Sequence, residues 1–214
     1  MMRRAACLAV VAAAARLAHA DSPDCAAEAT ALRARLTADA RHARHWDLGW
    51  ELGFGAVTLG QAALAIAKVK PFGVFDEDYN ELVIVGAVQS AFAFTAHLVL
   101  PLRIDVPPAN ADACADRAAL RVALADAGTR ERRTFWLNHA GALAVNLAGA
   151  IVLTARRSIG VGAASAALGY PIGLLSVYTA PRGSWHEWRA RRAAWTVGAT
   201  VSKVGPSLWL AGQF

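Results

Sequence analysis

Charge is scarce in this chain. Asp, Glu, Lys and Arg make up 18% of its 214 residues, while 56% are hydrophobic. A soluble domain of ordinary composition carries about 25% charged residues, so the balance points to a small helical membrane protein. Cysteine is scarce too, at three residues. No C-x-x-C pair or Cys/His cluster occurs, which leaves no dithiol redox or zinc motif. Phosphate-binding glycine loops and nucleophile motifs are missing as well. No basic block carries interleaved aromatics, so nucleic acid is not an expected partner. The length admits one membrane domain with short external pieces and no separate catalytic domain.

Residues 1–20 read as a signal peptide. Arg3 and Arg4 form a positive start, and residues 5–15 are an Ala/Val/Leu run. That run is too short to cross a hydrocarbon core of about 30 Å. Ala18-His19-Ala20 is an A-x-A cleavage pattern, so Asp21 is expected to begin the mature chain. No cysteine stands at the cleavage point, which argues against a lipoprotein. Loss of Arg3, Arg4 and Arg16 lowers the formal charge from +6 to +3, because none of the acidic residues lies there. Part of the basicity is therefore a targeting feature. Cys7 leaves with the signal. Cys25 and Cys114 remain as an even pair in an exported chain, and a disulfide between them is expected.

The remainder reads as all-α, a helical integral membrane protein with about four transmembrane helices in two helix-span-span units and an interfacial C-terminal helix. Residues 21–46 are an external amphipathic helix that runs on into the first span. In it Leu32, Leu36, Ala40, Ala43 and Trp46 keep helical spacing, and Arg33, Arg35, Arg41 and Arg44 line other faces. Residues 47–102 form a first membrane hairpin, with spans at about 47–67 and 82–102. Trp46 and Trp50 stand where an interfacial aromatic belt belongs, and Gly53, Gly55 and Gly60 permit close helix approach. Lys68, Pro71 and Gly73, then Asp76, Glu77 and Asp78, mark the turn between spans. Residues 103–134 are an external loop and a second amphipathic helix. Residues 135–180 form a second hairpin, with spans at about 135–155 and 159–180, and Pro171 is expected to kink the last.

Residues 181–214 are an interfacial helix and tail. Ser184 with Glu187 makes a capping box. Trp185, Trp188 and Trp195 with Arg189, Arg191 and Arg192 suit a helix lying in the interface. Residues 196–214 stay open between a poor fifth span, a re-entrant segment and a loosely packed tail.

The two halves resemble each other. Cys25 and Cys114 each open a helix with a Leu-Arg pair, Leu32-Arg33 and Leu120-Arg121, and each helix leads to a tryptophan, Trp46 or Trp136. In the following spans Val85-Gly86-Ala87 matches Val161-Gly162-Ala163, and Phe94 matches Tyr170. Units with two spans each share one orientation, which puts both cysteines on one side. A cleaved signal makes that side the periplasm of a bacterial inner membrane, and the Ala/Arg-rich composition suits a high-GC bacterial genome. The basic residues disagree. Lys68, Lys70, Arg156 and Arg157 would be the cytoplasmic ones, fewer than lie outside, against the positive-inside rule. The signal and the same-side cysteines outweigh that count in this reading.

No residue pattern identifies a catalytic group. The candidates for chemistry are polar side chains at membrane depth: Gln61, Gln89, Ser90, His97, His139, Asn146, Ser165 and Tyr170. Such groups need partners in lipid, and interhelical hydrogen bonds of about 0.6 kcal/mol each are the ordinary account. His97 and His139 are the sharpest pair. One is near the end of the second span and the other near the start of the third, so both lie about 6–8 Å below one interface at about 1.5 Å per residue. Two facing histidines could ligate the iron of haem b, relay protons or hydrogen-bond a quinone. His42 and His45 share a helix face without further ligands, so no metal is expected. His186 reads as an interfacial residue. Glu51 is expected to reach head-group water or to pair with Arg44 or Arg133.

The leading expectation is a structural or interaction component of a membrane complex, without catalysis or cofactor, whose partners are the lipid bilayer and other proteins or further copies of the chain. The first alternative is a small haem- or quinone-binding electron-transfer protein using His97 and His139. The second is a transporter or channel subunit, which no intramembrane carboxylate pair supports.

Overall fold

The computed structural model describes residues 23–68, 78–192, 195–202 and 205–212. The signal-peptide reading and the turn residues Asp76 and Glu77 lie outside the described residues. Four helices are long and apolar enough to cross a membrane. Helix α1 (Pro23–Ala67) has 45 residues, α2 (Asp78–Val99) 22, α3 (Ala113–Arg156) 44 and α4 (Ile159–Thr179) 21. A short α5 (Gly183–Arg192) follows.

Helix ends follow from local chemistry. Helix α1 stops at Lys68, which adopts a left-handed φ of 50°, the usual way to end a helix. Helix α2 ends at Val99 rather than at the expected residue 102, because Pro101 disfavours helical backbone in the residue before it. Asp112 caps α3, its Oδ1 accepting from the Cys114 and Ala115 N–H groups at 2.8 and 3.1 Å. Ser158 caps α4 in the same way, accepting from the Val161 N–H at 3.3 Å. Pro171 sits inside α4 without ending it. Helices α1 and α3 each run without a break through the residues expected to form an external helix and a span.

The body is helical, as expected, and one element was not foreseen. Strands β1 (Trp195–Ser202) and β2 (Gly205–Gly212) pair antiparallel, with Trp195 opposite Gly212 and Ser202 opposite Gly205. The hairpin occupies the stretch that was left between a fifth span, a re-entrant segment and a tail. Thr196, Val197, Thr200 and Val201 are β-branched and favour a strand, while Gly198, Gly205 and Pro206 weaken a helix.

The chain packs as two units. The first holds α1 up to Ala40, the segment Ile104–Thr129 and the residues from Arg182 onward. Its core is leucine: Leu32, Leu36, Leu120 and Leu124 are all buried. Cys25 and Cys114 form the expected disulfide, with Cα atoms 5.0 Å apart. Ion pairs flank it. The Arg121 guanidinium grips both carboxylate oxygens of Glu28 at 2.7 Å. Arg33 reaches Asp116 at 2.7 Å and the Pro107 carbonyl at 2.6 Å. Helix α5 packs here too. The Ser184 hydroxyl donates to Asp39 at 2.7 Å, and Glu187 pairs with Arg35 at 3.2 Å, so both residues of the expected capping box also reach α1.

The second unit holds Arg41–Arg103 and Arg130–Pro181. Its surface is inverted relative to a water-soluble bundle. Leu59, Phe92, Ile151 and Leu168 face outward, and Ile66 is 82% exposed. Such a face is an aggregation liability in water and the ordinary exterior of a bilayer protein. Arg156 and Arg157 both pair with Glu81, at 3.5 and 3.2 Å.

Candidate functional site

The polar groups of the second unit are arranged around a cavity. One cluster starts at Asp47, a buried carboxylate on α1. Its Oδ2 accepts from the Leu102 N–H at 2.7 Å, closing the chain just beyond α2. Its Oδ1 lies 3.1 Å from Nδ1 of His97, also buried. The imidazole is edge-on to Trp46, with centroids 4.9 Å apart, and stacks on Phe54 at 5.9 Å. Trp46 is held in turn, its indole N–H shared between the Ser176 carbonyl and the Thr179 hydroxyl at 3.2 Å each. A carboxylate behind one imidazole nitrogen orients the ring and leaves the other nitrogen for a second partner.

A second cluster lies farther along the helices. The Thr58 and Ser90 hydroxyls are 2.9 Å apart, and Ser90 is 3.3 Å from Gln61 Oε1. Gln89 donates to the Val145 carbonyl at 3.2 Å, and Asn146 to the Ala142 carbonyl at 2.8 Å. Each amide also lies against a glycine of the next helix. A Cβ on Gly86 would stand 2.6 Å from Gln61 Nε2, one on Gly149 would strike the Gln89 amide, and one on Gly169 would strike Asn146 Oδ1. The glycines are therefore what lets the amides fit between α1 and α2, α2 and α3, and α3 and α4.

Both clusters open onto a cavity of about 380 Å³ bounded by α1, α2, α3 and α4. Its wall is mostly apolar, with Phe54, Val57, Phe92, Val145 and Ile172 among the lining residues. The polar lining is Gln61, Gln89, Ser90, His97, Asn138, Asn146 and Ser176. Apolar walls with a few convergent polar groups, at about 300–1,000 Å³, are the usual form of a small-molecule site.

The sequence-based candidates divide accordingly. His97, Gln61, Gln89 and Asn146 stand on the cavity wall. His139 does not. It is half-buried, stacks on Phe135 with centroids 6.1 Å apart, and its Nδ1 has no hydrogen-bond partner among the described residues. Of the two histidines, His97 alone stands among the residues that line the cavity. Tyr170 is half-buried and off the wall, and Ser165 is buried in α4. Glu51 pairs with neither Arg44 nor Arg133 among the described residues. His42 and His45 are exposed, and no group of three metal-type ligands occurs among the described residues. His186 stacks on Trp185 at 5.8 Å.

Asp47 is the residue sequence reasoning passed over. An acid at the edge of an apolar span, flanked by Trp46 and Trp50, was the available signal. Its partner lies 50 residues away, a pairing that only the folded helices create. The chain matches no protein-family model, no curated protein and no solved structure.

Proposed function

We propose that this chain is a multi-pass bacterial inner-membrane protein whose four-helix unit holds a lipophilic small molecule in the cavity between its spans. One observation carries the reading: a cavity of about 380 Å³, apolar over most of its wall, with the Asp47-held His97 and four amides on it. The quinone-binding alternative, carried by His97 alone, is the nearest of the sequence-based readings.

The test is extraction. The chain is purified from membranes in mild detergent, and bound lipophiles are identified by mass spectrometry. The natural chain is expected to retain about one molecule of a defined compound. Ala93→Phe, which fills the lining of the cavity, is expected to lose it while keeping the elution volume of the natural protein. Identical extracts from the two chains would overturn the proposal.

A second reading, a component of a larger membrane assembly, draws support from α1. Gly49, Gly53 and Gly60 have nothing within 4 Å of where a Cβ would stand, and open glycine faces suit helix–helix contact in lipid. Co-purification after crosslinking tests it. Recovery of a single uncrosslinked chain would count against it. The order long, short, long, short among α1 to α4 supports descent from a duplicated helix-span-span unit.

A further inference from the structure

Resting on the cavity as a binding site, we propose that it selects a molecule bearing a hydroxyl donor, of the phenol or hydroquinone class, and that His97 Nε2 accepts the hydrogen bond. The argument is an inventory of donors and acceptors. Asp47 has two acceptor oxygens and no proton to offer as a carboxylate. With its Oδ1 3.1 Å from His97 Nδ1, the carboxylate accepts the N–H of that nitrogen, and a ring that carries its proton there presents Nε2 as a lone pair. The second oxygen of Asp47 is engaged by the Leu102 N–H, so the carboxylate holds the ring from behind rather than competing for a ligand.

Several donors of the other wall groups are turned to the protein. Gln89 donates to the Val145 carbonyl and Asn146 to the Ala142 carbonyl. The Ser90 hydroxyl has the Gly86 carbonyl at 2.9 Å and Gln61 Oε1 at 3.3 Å. Asn146 is buried, and its Oδ1 accepts no hydrogen bond among the described residues. The cavity wall thus holds two acceptors to which no hydrogen bond is donated among the described residues, Asn146 Oδ1 and His97 Nε2. A ligand that brings an O–H finds His97. The aromatic surround of His97, Trp46 on its edge and Phe54 on its face, suits a ring beside the hydroxyl.

The test uses the full chain in lipid nanodiscs and two tritiated probes of one shape. These are 4-octylphenol and 4-octylanisole, which differ in methylation of the single hydroxyl. Retained probe is counted on immobilised discs, with empty discs subtracted. The phenol is expected to bind at least about tenfold tighter than the ether, because a polar site left unpaired rejects the analogue lacking its partner. His97→Phe is expected to bring the ratio to about one. A preference that survives in His97→Phe would overturn the assignment to His97. Should that variant fail to fold, the two-probe ratio on the natural chain still decides donor selection. Equal binding of both probes by the natural chain, with both lost in Ala93→Phe, would overturn donor selection while leaving the cavity reading intact. Retention of neither probe above empty discs would overturn both.

Discussion

Gly162→Ala is expected to be the most damaging single-methyl addition among the glycines of the spans. Gly162 is buried in the first turn of α4. A Cβ there would stand 2.5 Å from the Ala150 carbonyl oxygen and 3.2 Å from Thr154 Cβ, and would strike the Thr154 hydroxyl. Ordinary Cβ contacts are at 3.4–4 Å. The threonine hydroxyl can rotate away, but the carbonyl belongs to the backbone of α3 and cannot. The two helices must therefore part locally, by about 1 Å to restore normal contact. Overpacking of this kind costs about 1–3 kcal/mol. Gly60→Ala is the control. Nothing lies within 4 Å of its Cβ position, and alanine favours the helix by up to about 1 kcal/mol. The assay is thermal unfolding of purified protein in detergent, followed by tryptophan emission. A destabilisation of about 2 kcal/mol corresponds to a midpoint lowered by about 4–8 °C for a chain of this size. Gly60→Ala should match or exceed the natural chain. Equal midpoints for the two variants would refute the close approach of α3 and α4 at Gly162.

Three further outcomes follow from the same geometry. The Cys25–Cys114 bond spans 89 residues, so Cys25→Ser should cost about 4 kcal/mol on the chain-entropy account; an electrophoretic mobility indifferent to reductant would show that the bond is not made. Asp47→Ala removes the acceptor for both the Leu102 N–H and His97 Nδ1, a loss of about 2–6 kcal/mol at about 1–3 kcal/mol per unsatisfied group. Asp47→Asn, which keeps one acceptor, should lose about half as much, and equal losses in the two variants would speak against the paired hydrogen bonds. An alkaline phosphatase fusion at residue 110 is expected to be active, and an inactive fusion with an active one at residue 157 would reverse the proposed orientation.

Sequence alone determined the elements with the strongest local signals. Apolar stretches of span length separated by Lys68, Pro101 and Arg156 mark four membrane-type helices, because few other structures satisfy so long an apolar backbone. Cys25 and Cys114 could be paired by count once Cys7 is assigned to a signal peptide. The polar side chains on the cavity wall were visible one by one, since any amide or imidazole in an apolar run stands out. The C-terminal hairpin was not legible, because Trp, Gly, Ser and Val alternate there in a pattern that a poor span also allows.

What tertiary structure decided is which of those polar groups meet. His97 and His139 have similar expected depth, yet depth says nothing about the direction a side chain takes around its helix. A rotation of about 100° per residue separates neighbours that one turn would unite. That is why His97 turns to Asp47 and the cavity, while His139 stacks on Phe135. The same holds for the glycines. Gly60 and Gly162 look alike in sequence, but one faces open space and the other the backbone of α3. Sequence by itself determined four helices long and apolar enough to cross a membrane. The angular setting and close approach of those helices decided that polar side chains from all four line one cavity.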